Sequence, residues 1–293
     1  MNRSSPAEET HLMQSLPLSS PQPALDLDHV GLIAGEGKFP FLLARAARDR
    51  NISLTAIGVR GITPVELADE VDAMLWVEFG QLGKMIDLCH QAGVDKVIMA
   101  GRIQHRSIFQ LSRIDRRGLK ILASLPTKKA DSLLGALTDE LAREKIEVLD
   151  STMLMRECMP PAGLLTPSCP PSDAVLGDIA FGRPIASQVA GLDIGQTIVV
   201  KQGTIVAVEA MEGTDKTILR AGQIAGEGCV VIKVSKPRQD RRFDVPVAGM
   251  TTVRKLVEAR CAALAIPGGE ALFFDRDEAC ALAQKHGICI YAW

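Results

Sequence analysis

Cysteine pairs, long apolar runs and aromatic rings are what this chain of 293 residues has least of. Its seven cysteines form no CxxC pair and only five histidines accompany them, so neither a zinc knuckle nor a disulfide framework has the spacing it needs. Most of the seven (Cys89, Cys158, Cys169, Cys229, Cys261, Cys280, Cys289) sit inside apolar runs, and we expect reduced core residues, as suits a cytoplasmic chain. No run of about 18 apolar residues occurs, which predicts no transmembrane helix. Residues 1–28 carry Ser and Pro clusters and lack the apolar stretch of about 7–15 residues that a signal peptide requires; they are expected to be a disordered lead-in. A net charge of −2 leaves no broad basic footprint, so no nucleic-acid partner is expected and any polyanion chemistry must be local. GxSxG, HExxH and DxDxDG are all missing, which removes serine-hydrolase, zincin and EF-hand readings.

What is present is an aliphatic chain, 47% hydrophobic and only 4% aromatic, long enough for two cores. From His29 an apolar run ending in Gly, "HVGLIAG", precedes "KFPFLLARAARDR", in which Phe39, Leu42, Leu43 and Ala46 recur at helical spacing. The alternation continues through "SLTAIGV", a helical "VELADEV", "DAMLWVEF", "QLGKMIDLCHQAG" and "KVIMAG", and after helical material closes on "EVLD". Strands alternating with helices of crossover length predict a Rossmann-like parallel sheet. Five prolines within Met159–Asp173 mark a boundary. The expected organisation is an N-terminal Rossmann-like domain over residues 29–158, a Pro-rich linker over 159–173 and a distinct mixed α/β domain over 174–293. The latter opens on a helix containing "AVLGDIAFGRPIASQVAGL". A hairpin follows around Lys201-Gln202-Gly203, then a helix ("TDKTILRAGQIAG"), a strand ("CVVIKV"), a charged loop, a helix read as "TTVRKLVEARCAALA", a strand ("EALFFD"), a helix and a last strand ("ICIYAW").

Four stretches hold candidate chemistry. In "GLIAGEGKFP" a Gly-rich turn after the first strand (Gly35, Gly37) with Lys38 suits a phosphate at a helix N-terminus, and equally suits a plain tight turn. It is neither GxGxxG nor a P-loop, and no acidic residue ends the second strand, which disfavours a nicotinamide cofactor. "AGRIQHRS" places Arg102, His105 and Arg106 beyond another strand end. In "VEAMEGTDKTILRAG" Glu209, Glu212 and Asp215 form an oxygen-rich corner of the kind hard cations take, while capping by Thr214 or Asp215 accounts for part of the same pattern. The loop "KPRQDRRFDVP" mixes Lys236, Arg238, Arg241 and Arg242 with Asp240 and Asp244. As solvated ion pairs these charges are worth only about 0–1 kcal/mol each. As a site, the cations grip phosphoryl oxygens while the carboxylates hold a divalent ion or an attacking water.

Taken in order, "GLIAGEGKFP", "GLDIGQTIVVKQGTIVAVEAMEGTD" and "SKPRQDRRFDVPVAG" resemble the LpxI family, the UDP-2,3-diacylglucosamine pyrophosphatases of lipid A biosynthesis. The resemblance covers nearly all of the chain after His29. It implies an N-terminal Rossmann-like domain joined to a distinct α/β domain, with the lipid substrate between them. The implied reaction is metal-dependent cleavage of the diphosphate to UMP and 2,3-diacylglucosamine 1-phosphate, with Mg²⁺ or another divalent cation. The "EGTD" motif falls on Glu212 to Asp215 and "QDRRFD" on Gln239 to Asp244. The family's essential C-terminal aspartate matches one of Asp215, Asp240 and Asp244, with Asp240 preferred for its place in the basic loop. The resemblance implies Asp240, Asp215, Arg241 and Arg242 as catalytic residues. Gly35, Gly37, Lys38, Arg102, Gln196, Thr214, Lys236 and Gln239 are the substrate-binding set, and Asp240, Asp215, Glu212 and Asp244 the metal ligands. A lipid-linked UDP-sugar also implies transient contact with the inner-membrane surface, and a homo-oligomer stays open. The rival reading is a non-hydrolytic nucleotide- or nucleotide-sugar-binding regulator. Two acyl chains need an apolar cleft, expected near the helices flanking the Pro-rich segment.

Overall fold

A computed structural model describes residues 27–103, 114–125, 130–237 and 239–293. The lead-in expected over 1–28 falls outside these up to residue 26, as do His105, Arg106 and Arg238.

Five parallel strands build the first sheet: β1 (His29–Ala34), β2 (Ser53–Val59), β3 (Ala73–Val77), β4 (Lys96–Ala100) and β5 (Glu147–Val148), in the order β3-β2-β1-β4-β5. This is the order of a doubly wound sheet, whose direction of winding reverses between β1 and β4. Its strands are apolar runs because both faces are covered. Helix α1 (Phe39–Arg48) buries Leu43, Ala44, Ala46 and Ala47 on one face. On the other lie α2 (Leu82–Gln91), α3 (Arg116–Ser124) and α4 (Ala130–Arg143). The expected helix "VELADEV" is a 3₁₀ segment, Val65–Glu70, which presents one buried side chain, Leu67, to the core.

The second half places β6 (Gly163–Leu164), β7 (Thr197–Lys201), β8 (Thr204–Val208), β9 (Val230–Lys233), β11 (Ala263–Ile266) and β13 (Cys289–Ala292) in the order β6-β13-β11-β9-β7-β8. The central three are parallel and the outer three antiparallel to their neighbours, so the sheet is mixed. Helix α5 (Asp173–Gly191) covers one face; α6 (Thr214–Ala225), α7 (Met250–Glu258) and α8 (Arg276–Lys285) cover the other. The hairpin forms where expected, with Gln202 and Gly203 at φ 50° and 69° making its turn. Both their backbone N–H groups donate to the buried carboxylate of Asp178 on α5, at 3.0 and 2.7 Å.

Three features depart from the sequence reading. The helix expected through "TTVRKLVEARCAALA" stops at Glu258, and Ala263–Ile266 is the central strand β11. Arg260 takes φ 51° and Cys261 N–H returns to the Leu256 carbonyl, closing the helix; a short apolar run buried on all sides has the same pattern in either conformation. The strand from "EALFFD", β12 (Leu272–Phe274), joins no main sheet and pairs in parallel with β10 (Val247–Gly249), which lay unrecognised next to the charged loop. The Pro-rich segment is also stitched to the second sheet, through β6 and through the hydrogen bonds of Leu165 N–H to Ile290 O and of Ile290 N–H to Thr166 Oγ1.

The two halves share a core. Leu272 and Phe274 pack with Leu32, Leu43, Ala56 and Met155 on the α1 face of the first sheet, and the Phe39 and Phe274 rings lie 5.5 Å apart. Lys38 and Asp275 form an ion pair across the same contact.

Candidate active site

The carboxyl ends of β8 and β9, the start of β7 and the N-terminus of α6 all meet at one edge of the second sheet. The antiparallel turn of the hairpin brings β8 back alongside β7 in the direction of β9, so sequence-distant polar residues converge there. Lys236 Nζ lies 2.8 Å from Asp244 Oδ2 and 2.8 Å from Asp193 Oδ1. Asp244 Oδ1 accepts from Gln196 Nε2 at 3.0 Å, and the Gln196 N–H donates to Glu209 Oε2 at 3.3 Å. Glu209 Oε1 accepts from Thr214 Oγ1 at 2.8 Å, and Thr214 in turn receives Lys233 Nζ at 3.0 Å. A single chain of contacts thus runs from Lys236 to Lys233. Gln239 joins it by accepting the Lys236 N–H at 2.6 Å.

Of the sequence candidates, Gln196, Thr214, Lys236, Gln239 and Asp244 are therefore brought together. Asp240 sits in the same loop with its carboxylate folded onto Arg242, whose Nε and Nη2 approach at 2.9 and 2.7 Å. That guanidinium holds the Asp240 carboxyl below the usual carboxylate range, against the raising effect of burial. Glu212 is also held low, first by its own backbone N–H and then by Arg220, whose Nη2 is 2.6 Å away. Thr214 and Asp215 do not cap α6: Gly213, at φ 82°, is the N-cap, and among the described residues no side chain caps the helix. Asp215 is half-buried in that first turn.

The four carboxylates expected as metal ligands, Glu212, Asp215, Asp240 and Asp244, do not form a ready cage. No group of three or more metal-ligating side chains occurs among the described residues. Glu212, Asp240 and Asp244 already face Arg220, Arg242 and Lys236. Arg241 is committed to the domain contact: its Nε lies 3.0 Å from Asp150 Oδ2, its Nη2 donates to Thr152 Oγ1 at 2.8 Å, and its carbonyl accepts from Ser151 N and Oγ.

The first-domain candidates take no part in this chain of contacts. Gly35 and Gly101 are glycines because the ends of β1 and β4 cross there; a Cβ on Gly35 would lie 2.6 Å from the Arg102 carbonyl. Glu36 and Arg102 form a backbone bridge at this crossing, and the Arg102 side chain is exposed. Gly37 takes φ 98° in the turn, and Lys38 is turned towards Asp275.

Beside the crossing, on the α2 face, lies an apolar cavity of about 290 Å³. Ile33, Met99, Ile114, Ile121 and Leu134 are among its walls, and Phe243 reaches it from the charged loop of the second half. It lies in the first domain, where α4, the last α-helix before the Pro-rich segment, supplies Leu134; α5, which follows that segment, is not among its walls.

Thr197, Lys233 and Ser235 were missed by sequence reasoning. A lysine inside "CVVIKV" was the available signal, because a charge at the end of an otherwise buried central strand needs a reason.

Residues 29–158 match the LpxI N-terminal domain and residues 161–291 the LpxI C-terminal domain. The chain belongs to the LpxI family. It is similar to the UDP-2,3-diacylglucosamine pyrophosphatase LpxI of Caulobacter vibrioides, with 31% identity over 272 residues, 89% of this chain and 96% of that one. Likeness to solved structures is slight. The biotin carboxylase subunit of pyruvate carboxylase gives 13% identity and a TM-score of 0.26, over 68% of this chain and 41% of that chain. The biotin carboxylase domain of a thermophilic 2-oxoglutarate carboxylase gives 12% and 0.26, over 59% and 34%. This chain spans less than half of either structure, and scores this low assign neither fold nor function.

Proposed function

We propose that the chain hydrolyses the diphosphate of UDP-2,3-diacylglucosamine, giving UMP and 2,3-diacylglucosamine 1-phosphate. The observation that carries this reading is the reach of one loop. Residues 236–246 place Lys236, Gln239 and Asp244 on a polar sheet edge, while Phe243 from the same loop lines an apolar cavity. A substrate that is a nucleotide diphosphate at one end and two acyl chains at the other needs both surfaces within one molecule's length. The cavity takes acyl carbon, and its apolar walls gain by excluding water. The sheet edge takes the diphosphate.

In this reading Lys236, Gln239 and Gln196 hold phosphoryl oxygens, and Asp240 or Asp215 orients and deprotonates the attacking water as the bond to the bridging oxygen breaks. Arg242 lowers the proton affinity of Asp240, which suits that carboxylate to orienting the water. A divalent ion fits only as a shared guest: Asp215 is the carboxylate of the four that has no cationic partner among the described residues, and Mg²⁺ is commonly held by one or two carboxylates plus substrate phosphates. When bound, it would neutralise charge on the diphosphate. No helix of the described residues is long and apolar enough to cross a membrane; in this reading the lipid substrate is met by peripheral contact.

The test is UMP release from UDP-2,3-diacylglucosamine by wild type, Asp240→Ala and Asp215→Ala, each with Mg²⁺ and with chelator. We expect release by wild type, and a fall of about 100-fold or more in Asp240→Ala. No release by wild type would sink the hydrolytic reading and favour a nucleotide-sugar-binding protein; chelator-insensitive release would remove the metal alone.

A further inference from the structure

Lys233 ends β9 with only 7% of its surface exposed. Its ammonium touches two neutral hydroxyls, Thr214 Oγ1 at 3.0 Å and Thr197 Oγ1 at 3.3 Å, and no carboxylate among the described residues pairs with it. An ammonium has three protons to give, so one is left over. A buried charge without a counter-charge is costly, and a protein that only needed to fill this place would do better with an apolar side chain.

The same place carries a second positive feature. Thr214, which receives Lys233, is the first residue of the 12-residue helix α6, whose N-cap is a glycine and whose first-turn N–H groups no side chain among the described residues satisfies. The partial positive charge of that terminus and the ammonium repel each other unless an anion lies between them. A third observation is independent of both. Three buried side-chain atoms at this edge have no hydrogen-bond partner among the described residues: Ser235 Oγ, two residues beyond Lys233, together with Gln196 Oε1 and Gln239 Nε2. Buried polar atoms left unanswered in a folded protein call for a partner the chain does not supply. Ser235 and Gln239 offer donors, Lys233 a charge and α6 its amides, and an oxyanion with several acceptor oxygens answers these four; Gln196 Oε1, an acceptor, is not answered by it.

We propose that Lys233, Ser235 and the first-turn amides of α6 form a preorganised binding site for a phosphoryl group. Its assignment to the substrate's diphosphate rests on the pyrophosphatase reading; the anion site itself does not. Thr214 is the positioning residue. By giving its own proton to Glu209 it turns a lone pair to the ammonium, and so fixes where Lys233 points.

Inorganic pyrophosphate and UMP titrated calorimetrically into the full chain test this, alongside Tm and kcat/KM for wild type, Lys233→Met and Thr214→Val. Lys233→Met should keep or raise Tm, because an uncompensated charge is replaced by an apolar chain of similar length. Affinity for pyrophosphate or UMP should fall about 10- to 100-fold, the loss expected for a charge-assisted hydrogen bond, with kcat/KM falling in step. Thr214→Val should weaken the same binding, and it carries the test if Lys233→Met does not fold. Wild type that binds neither anion, or variants that bind within twofold of wild type, would overturn the proposal. Binding lost in Lys233→Met by a wild type that releases no UMP would uphold the anion site and remove the hydrolytic reading.

Discussion

Asp240 and Arg242 are two residues apart, and their pairing decides how the charged loop responds to acid. Because Arg242 depresses the Asp240 carboxyl, the pairing stabilises the fold fully above the unfolded-state value of about 3.9 and is lost as pH falls through the lower folded-state value. Thermal unfolding of wild type and Asp240→Asn from pH 3 to 8 should therefore show a Tm gap that is constant above about pH 5 and narrows below about pH 4. A gap that closes between pH 6 and 7 would mean the pair is not made. Glu212 is held low as well, so neither carboxyl should produce an inflection in the pH–rate profile near neutrality. The cysteines answer at the same scale. All seven are free, and burial pushes the thiols of Cys89 and Cys289 up to about 11 and that of Cys261 up to about 12. Thiolate is the reactive form, so a maleimide reagent at pH 7 should modify these three only at the rate of unfolding. The sequence revealed the residue types of this loop but not their partners: Arg241 and Arg242 are adjacent, yet one serves the domain contact and the other Asp240.

Helix α5 shows how an element's glycines differ in purpose. A Cβ on Gly182 would lie 2.2 Å from Ile232 Cδ1 and 2.8 Å from Val200 Cγ2, whereas one on Gly177 would meet nothing within 4 Å. Gly182 lets the helix sit close against the mixed sheet. Gly182→Ala should therefore overpack the interface by about 1–3 kcal/mol, outweighing the helix-propensity gain of about 1 kcal/mol. Gly177→Ala should stabilise by roughly that propensity gain alone, up to about 1 kcal/mol. Urea titrations of the two variants check both, and equal effects of the same sign would contradict the packing. Both glycines read alike in the sequence, since each interrupts an apolar helical pattern. Elements bounded by strong local signals were legible: α1 from its spacing, the hairpin from Gln202-Gly203 and α5 from the segment after the prolines. Strand β11 was not, because four buried apolar residues carry no period, and its place is decided by β9 and β13 on either side.

At the scale of the whole molecule, the ribbon of β10 and β12 ties the two halves together. Phe274 leaves the second half to pack on Phe39 and the α1 core. Phe274→Ala should cost about 3–5 kcal/mol and lower the stability of both halves, since each borrows the same buried surface. Wild type should unfold in urea in one transition, with Trp76 fluorescence in the first sheet and Trp293 fluorescence at the end of the second moving together. Two separated transitions, or a Phe274→Ala effect confined to one half, would show that the shared core does not couple them. A Pro-rich segment alone suggests a pivot, but the ribbon, the Lys38–Asp275 pair and the Arg241–Asp150 pair all cross between the halves.

By itself the sequence determined that the protein is α/β and that parallel crossovers come first and a hairpin later. Those conclusions rest on hydrophobic period and turn residues, which act over a few residues and survive without knowledge of the fold. Tertiary structure alone decided that Lys233 is buried beside Thr214, that Gln196 links Asp244 to Glu209, and that Phe243 reaches an apolar cavity in the other domain. Each of these joins residues distant in the chain, and each depends on which strand ends share a sheet edge. A charge costs little in water and much in a core; the chain specifies where its lysines are, and only folding decides which of them loses its water.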